Sequence, residues 1–382
     1  METQLSRRNW FKSTFAISAG LALTGSFANR LAAAPISRAE REFFAMKGNS
    51  PAKVRLNSNE NPYGPSKKAR EAVIQILGEA NRYQFQTQEV LRKKLAEREK
   101  VDPSYIMMGA GSGEILCLMG ATYGLDGGSV LSSYPTFPLL MNYAQGVNAR
   151  WDKVDLNDEL EHDYDKMASA IKGDTKIIFV CNPNNPTGTV VDPKTVRAFS
   201  EEASKKALVY ADEAYLEFLG PIEDKSMIDL VRKGSNVVVS RTFSKIFGLA
   251  GLRIGYIVAH PDVIRKVQRF GDSISASQTA IAAAQATLGE EEFMQMVRVK
   301  NAEARKVLTD YLESKKYKHG KPETNVVFFP APKDGKTILA RMEEKGYLIR
   351  IWDYKGMEWC RVSIGTTDEM KGFVKAFDEI NS

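Results

Sequence analysis

Histidine and cysteine are both scarce in this chain, with three of each among 382 residues. His162, His260 and His319 lie far apart, and no Cys-x-x-Cys spacing joins Cys117, Cys181 and Cys360. Zinc sites draw on imidazoles and thiolates at short, regular spacing, so a zinc centre is poorly supported, and so is a Cys–His catalytic pair. The cysteines are odd in number and flanked by apolar residues, which suits buried core thiols better than a disulfide framework. Basic runs with interleaved aromatics are missing, which argues against a nucleic-acid partner. No internal repeat or low-complexity tract interrupts the chain. Apolar stretches are too short and too polar for a stable membrane span. A chain so poor in reactive side chains needs a borrowed electrophile for demanding chemistry.

The remainder is ordinary for a globular protein, 43% hydrophobic and 26% charged. The length exceeds one small core and suggests a large domain with a lesser one. Of the formal charge of +6, Arg7, Arg8, Lys12 and Arg30 against Glu2 supply +3 within the first 34 residues, leaving a mild +3.

Those first residues carry Ser6-Arg7-Arg8-Asn9-Trp10-Phe11-Lys12, a weakly apolar stretch from Ser13 to Ala28, and Leu31-Ala32-Ala33-Ala34. A charged start, a short apolar middle and a small-residue exit describe a secretory leader. The arginine pair resembles a twin-arginine export signal. The resemblance implies passage through the twin-arginine (Tat) translocase and a periplasmic or exported location. Cleavage is expected after Ala34, with Ala28 and Ala33 as alternatives. An amphipathic or anchoring helix is the competing reading.

After a polar arm, strand and helix signals alternate, which argues for an α/β layout with a mostly parallel sheet. Strand-like runs appear at Ser129–Ser132, Ile177–Val180, Ala207–Tyr210, Val237–Ser240 and Gly255–Val258. Helical patterns lie between them, at Ile115–Tyr123 and Lys194–Lys206. From about Gly289 a long charged helix, Glu290 to Lys315, is followed by strand candidates Asn325–Phe329 and Cys360–Ile364 and a closing helix from Asp368. The expected division is a leader over 1–34, an arm over 35–80 joining the small domain, a large domain over 81–288, and a small α+β domain over 289–382.

Several segments combine residue types that suit one site. Thr242-Phe243-Ser244-Lys245 follows the strand Val237–Ser240, and a lysine beyond a strand's C-terminal end projects into the crevice where α/β sheets bind ligands. Gly248-Leu249-Ala250-Gly251-Leu252-Arg253 comes next, pairing close-approach glycines with a forked cation. Gly109-Ala110-Gly111-Ser112-Gly113-Glu114 opens a helix and would present N–H groups to an anion. Val209-Tyr210-Ala211-Asp212-Glu213-Ala214-Tyr215 ends a strand on a carboxylate, which an ordinary helix cap would also explain. Asn182-Pro183-Asn184-Asn185-Pro186-Thr187-Gly188 and Ser133-Tyr134-Pro135-Thr136-Phe137 follow two further strands. Asn-Pro is a candidate cis peptide.

In this order and spacing the segments resemble the class I/II aminotransferase superfamily of fold type I, particularly its histidinol-phosphate branch. The resemblance extends over nearly all the chain after Val54. It implies an α/β, fold-type-I transferase of pyridoxal 5′-phosphate (PLP), with a mostly parallel central sheet in the large domain. Lys245 would hold PLP as a Schiff base and shuttle the substrate's α-proton. Asp212 would pair with the pyridinium nitrogen, while Tyr215 and Asn185 would reach the phenolate oxygen. Ser112, Gly113, Thr242, Ser244 and Arg253 would hold the phosphate. Phe137 would stack on the ring, where this branch commonly has tyrosine. Asn81-Arg82-Tyr83 resembles the segment whose tyrosine reaches a neighbouring subunit's phosphate, which implies a homodimer, although the usual Tyr-Pro is Tyr83-Gln84 here. Leu56-Asn57-Ser58-Asn59-Glu60-Asn61-Pro62-Tyr63-Gly64-Pro65 resembles the substrate-side segment and makes Asn59 a candidate contact. Arg361, in Arg361-Val362-Ser363-Ile364-Gly365, matches the bidentate clamp for an anionic substrate group. Arg350 matches a second arginine associated with substrate phosphate, with a solvated strand-end arginine as the alternative.

The implied function is amino-group transfer between an amino acid, or an amine such as histidinol phosphate, and a 2-oxo acid. Decarboxylation, racemisation or elimination on the same scaffold is the alternative. A PLP-binding module without turnover fits poorly with Lys245, Asp212, Tyr215 and Arg361 together. An exported enzyme is oddly placed for histidine synthesis, which favours an amine met outside the cytoplasm.

Overall fold

The structure, a computed structural model, describes residues 53–381 except 84 and 272–274. The expected leader, with Arg7-Arg8 and the candidate cleavage positions, and the arm through residue 52 lie outside the described residues.

In chain order the strands are β1 (Val54–Arg55), β2 (Ile106–Gly109), β3 (Ser129–Tyr134), β4 (Arg150–Asp155), β5 (Thr175–Cys181) and β6 (Leu208–Asp212). They continue with β7 (Val237–Thr242), β8 (Gly255–Val258), β9 (Val326–Pro330), β10 (Tyr347–Leu348), β11 (Arg350–Tyr354) and β12 (Met357–Ser363). Seven of them form a sheet in the order β2-β8-β7-β6-β5-β3-β4. β8 runs antiparallel to both neighbours, and the pairings from β7 through β4 are parallel.

The central strands form because both of their faces are covered, and such strands read as continuous apolar runs. Val237 and Val239 enter one core and Val238 the other, and β5 divides Ile177 and Ile178 in the same way. β4 lies at the sheet's edge, has three of its six residues exposed and carries Arg150, Asp152, Lys153 and Asp155. Its charges blunt the edge, and they also hide it from a search for apolar runs. Cys181 and Cys360 are buried and Cys117 partly so, each unbridged.

A second, antiparallel sheet has the order β11-β12-β9. Leu308 and Leu312 from the helix Glu291–Ser314, and Phe373 and Phe377 from the helix Thr367–Asn381, pack with Phe329 and Val362 into its core. β1 pairs with β10, and Leu56 enters this core, whereas Ala69 of the helix Lys67–Ile76 enters the core of the large sheet. The chain from β1 to that helix therefore spans both cores, which places residues 57–61 between them. No helix among the described residues is long and apolar enough to cross a membrane.

Candidate active site

The C-terminal ends of β5, β6 and β7 deliver the site. Asp212 is the last residue of β6, in register with Cys181 on one side and Ser240 on the other. It is buried, and one carboxyl oxygen accepts the Ala214 N–H at 3.2 Å. Burial drives its pKa up from 3.8 to about 7; the Ala214 amide and the Lys245 charge oppose this and Glu213 adds to it.

Lys245 lies three residues beyond β7. Its Nζ donates to the Ser58 carbonyl at 3.3 Å and stands 5.5 Å from the Tyr215 ring centre. Burial lowers its pKa to about 7, helped by the Arg361, Arg253 and Arg350 charges and opposed by Glu60. A neutral, nucleophilic amine is thus accessible near neutral pH.

The Tyr215 hydroxyl accepts from Asn59 Nδ2 at 2.9 Å, and burial raises its pKa, so the phenol stays protonated. Asn59 has φ 51°, a left-handed conformation that asparagine tolerates better than most residues. The Ser363 hydroxyl donates to Asn59 Oδ1 at 2.9 Å and accepts the Asn59 N–H at 2.7 Å. One chain of bonds therefore joins β12, the N-terminal segment and the end of β6.

A candidate anion cradle lies where β8 separates β2 from β7. The helix Ser112–Gly124 begins after Gly111 (φ 81°), and no side chain caps its first N–H groups. Arg253 reaches this helix start while remaining exposed, with Nη2 donating to the Ala110 carbonyl at 3.3 Å. Its Nη1 donates to the Ala250 carbonyl at 3.0 Å and to Ser244 Oγ at 3.4 Å. A Cβ on Gly111 would come within 2.4 Å of Arg253 Nη2, and one on Gly255 within 2.5 Å of the Ser112 nitrogen. These two glycines are what allow the guanidinium and the helix start to meet. Gly113 stands in the first turn, and Thr242 Oγ accepts the Ser244 N–H at 3.1 Å, ordering the loop.

Arg350 and Arg361 are directly paired across β11 and β12, and both are buried. This removes the reading of Arg350 as a solvated strand end. Like charges opposed across strands are destabilising, so the pair favours an anionic ligand. Arg361 donates to the Asn57 carbonyl and to Asn185 Oδ1, the latter at 3.4 Å. Asn185 is buried in a loop that Asn184 fastens to the segment Tyr134–Phe137. Thr136 Oγ donates to Asn184 Oδ1 at 2.9 Å, and Asn184 Nδ2 donates to the Pro135 carbonyl at 3.1 Å. Phe137 follows, partly buried, and Asn182–Pro183 and Tyr134–Pro135 are cis.

Tyr83 is the predicted residue that does not join the others within this chain. It is 88% exposed and stacks on Phe85 with ring centres 6.0 Å apart. Sequence reasoning missed the Ser58 and Asn57 carbonyls, which carry no side-chain signal, and Ser363, which lay unremarked two residues beyond Arg361.

The displaced carboxylate has a testable consequence. Between pH 3.8 and about 7 unfolded Asp212 is ionised while the folded form keeps its proton, so stability falls as pH rises through this window. Above it the full cost remains. In cofactor-free protein, Asp212→Asn should remove a slope of up to roughly 1.4 kcal/mol per pH unit, so its stability advantage over wild type grows between about pH 4 and 7. Urea unfolding at a series of pH values measures it, and a constant difference would show that Asp212 is not displaced.

The sequence matches the family described as aminotransferase class I and II over residues 51–377. It is 35% identical to the histidinol-phosphate aminotransferase of Moorella thermoacetica over 329 residues, covering 86% of this chain and 85% of that protein. Identity to the Bacillus velezensis histidinol-phosphate aminotransferase is 33% over 328 residues, covering 86% of this chain and 91% of the relative. The fold is similar to the crystal structure of histidinol-phosphate aminotransferase from Sinorhizobium meliloti in complex with pyridoxal-5′-phosphate. The TM-score is 0.80 at 24% identity, over 91% of this chain and 98% of that one. With its lysine, carboxylate and anion cradle at the ends of adjoining strands, this chain belongs to the class I and II aminotransferase family.

Proposed function

We propose that the chain is a PLP-dependent aminotransferase that moves an amino group between an amino acid, or a related amine, and a 2-oxo acid. The observation that carries this reading is the lysine–carboxylate pair. Lys245 and Asp212, beyond and at the ends of adjoining strands, share one site and are both displaced to about 7, beside an uncapped helix start that Arg253 reaches.

The residues fit the cofactor. The uncapped N–H groups at Ser112 and Gly113, the hydroxyls of Thr242 and Ser244, and Arg253 would take its phosphate, and Gly111 is what lets the guanidinium stand at this helix start. Asp212 would face the ring nitrogen, Tyr215 and Asn185 the phenolate oxygen, and Phe137 the ring face. When bound, PLP supplies a sink for the electron pair left at the substrate carbon.

The protein's own groups do the rest. Lys245 Nζ, near its titration point at neutral pH, would accept the α-proton from the substrate carbon and hold it on the same face for its return. Asp212, buried, keeps a full negative charge when it faces a cation, which low polarity makes effective. Tyr215 donates its hydroxyl hydrogen while Asn59 holds its oxygen from behind. Arg361 and Arg350 take the substrate's anionic groups and orient its Cα over Lys245.

Holoenzyme given one amino donor and no acceptor should release one 2-oxo acid per site and leave the cofactor in its amine form. Evolution of carbon dioxide instead would establish a decarboxylase. Lys245→Ala should lower this half-reaction by about 10⁴-fold and abolish covalent retention of the cofactor. Near-normal turnover would sink the role of Lys245.

The reading extends to a homodimer in which Tyr83 serves the neighbouring site. The exposure of the stacked pair Tyr83 and Phe85 (88% and 61%), with Ile74 and Leu77 also exposed shortly before them in the chain, supports it, since exposed apolar groups mark interaction surfaces. Tyr83→Phe should weaken cofactor retention, as should dilution of wild type, and sedimentation showing an active monomer would overturn it.

Export by the twin-arginine route is also proposed, from Arg7-Arg8 and the weakly apolar segment after it. A route for folded protein suits a cofactor fixed in a buried site. Arg7→Lys with Arg8→Lys should retain the protein in the cytoplasm, and wild type should arrive outside already loaded. Fractionation with cofactor absorbance checks both, and an exported double variant would refute the route.

A further inference from the structure

We propose that Arg241 is a positioning residue for this reaction, holding the Asp212 and Lys245 segments together from the opposite face of the large sheet. The inference rests on the roles given above to Asp212 and Lys245.

Residues alternate along β7, so Arg241 shares a face with Val237 and Val239, and Thr242 in the cofactor cradle takes the other. Arg241 is 1% exposed, among the largest fully buried side chains described. Its Nη2 lies 3.0 Å from Glu213 Oε2 and donates to Ser226 Oγ at 2.9 Å, while Nη1 lies 3.5 Å from Glu217 Oε1. Glu99 stands at 3.8 Å. Burial opposes the guanidinium charge, but Glu213, Glu99, Tyr256 and Glu217 outweigh it, so the group stays charged.

Glu213 is the residue after Asp212. Its carboxylate also accepts the Met227 N–H at 2.7 Å and the Ser226 hydroxyl at 2.8 Å, and its own N–H donates to the Ser240 carbonyl at 3.0 Å. The backbone on the far side of Asp212 is thus tied to β7 twice, once by a ladder bond and once through Arg241. β7 in turn leads directly to Lys245. The outer acids are anchored as well. Tyr256 donates to Glu99 at 2.7 Å, and Arg298 donates to the Glu217 carbonyl at 3.1 Å.

Three carboxylates therefore surround two cations, Arg241 and Arg98, at a place that the proposed chemistry does not touch. Without Arg241, Glu213 becomes an uncompensated buried charge one residue from Asp212, which must move or take up a proton. Either response shifts Asp212 relative to Lys245, and displacements of about 1 Å are enough to cost roughly 100-fold in rate.

The cluster has its own way in from solvent. A cavity of about 650 Å³, lined by Arg98, Glu99, Glu217, Ser226 and Arg241, opens on this face. A small cation from solution can therefore reach the place that a truncated Arg241 leaves.

The test uses the loaded enzyme with Arg241→Ala and Arg241→Lys. The alanine variant should lose about 100-fold in kcat with KM within about threefold of wild type. Millimolar guanidinium should restore at least about tenfold, saturably, where equal urea or sodium chloride does not, and the lysine variant should be intermediate. Independently of turnover, the pH at which the cofactor's visible band titrates should rise in the alanine variant and return with guanidinium, because an unmatched negative charge retains protons. A folded alanine variant with wild-type kcat and band titration overturns the proposal, and so does a loss that guanidinium leaves unchanged. Should the alanine variant fail to fold, Arg241→Lys decides: a kcat loss of about tenfold or more with KM held supports positioning, and a smaller loss overturns it. If wild type shows the band but does not transaminate, the aminotransferase reading falls while the band titration still decides the role of Arg241.

Discussion

Burial of the Asp212 carboxylate at the end of β6, within reach of the Lys245 charge, is the constraint around which the site is organised. Removing a carboxylate and an amine from water disfavours the charged form of each, so the two groups move toward each other on the pH scale, both to about 7. Neither displacement would survive at an exposed position. Both need the continuous apolar strands β5 to β7, which exclude water on both faces and bring three chain ends to one place. The stability given up there is the reverse side of reactivity: the amine can be neutral, and the carboxylate is most at ease opposite a cation.

Residues 57–59 tie that pair to the small sheet. Within three residues, Asn57 accepts from Arg361, Ser58 accepts from Lys245, and Asn59 bonds both Tyr215 and Ser363. One short strand of chain thus connects the small sheet's arginines to the large sheet's lysine. β1 fixes this segment at one end through β10, and Ala69 fixes it at the other. Movement of the small sheet would therefore be felt at Lys245 through a contiguous set of hydrogen bonds rather than through bulk packing.

The parts that could be read from sequence share a physical property: their signal is local. β5 to β8 announced themselves because strands covered on both faces are apolar throughout, and the Gly-rich turn before Ser112 because close approach needs glycine. β4 was invisible because an edge strand is charged. β11 was missed because Arg350, Trp352, Asp353 and Tyr354 leave Ile351 as its one aliphatic residue, so the run reads as polar or mixed although only Asp353 is exposed. The burial of Arg350 could not be seen in Leu348-Ile349-Arg350, since the arginine opposite it comes eleven residues later, across a hairpin.

Sequence alone determined which chemical groups are available and in what order: one lysine after one strand, one carboxylate ending another, an asparagine loop, glycines before a helix, and two arginines near the end. Local residue type and spacing are sufficient for that, because each motif makes its own turn or strand end. Only the tertiary structure decided their charge states and partners. Proton affinity depends on how much water each group loses and which charges stand near it, and both are set by residues distant in the chain. The same holds for Arg241, an unremarkable arginine in sequence. Folding surrounds it with Glu213 and Glu217 from the stretch after β6 and with Glu99 from the end of a helix far earlier in the chain, and buried charges persist only where such partners meet them.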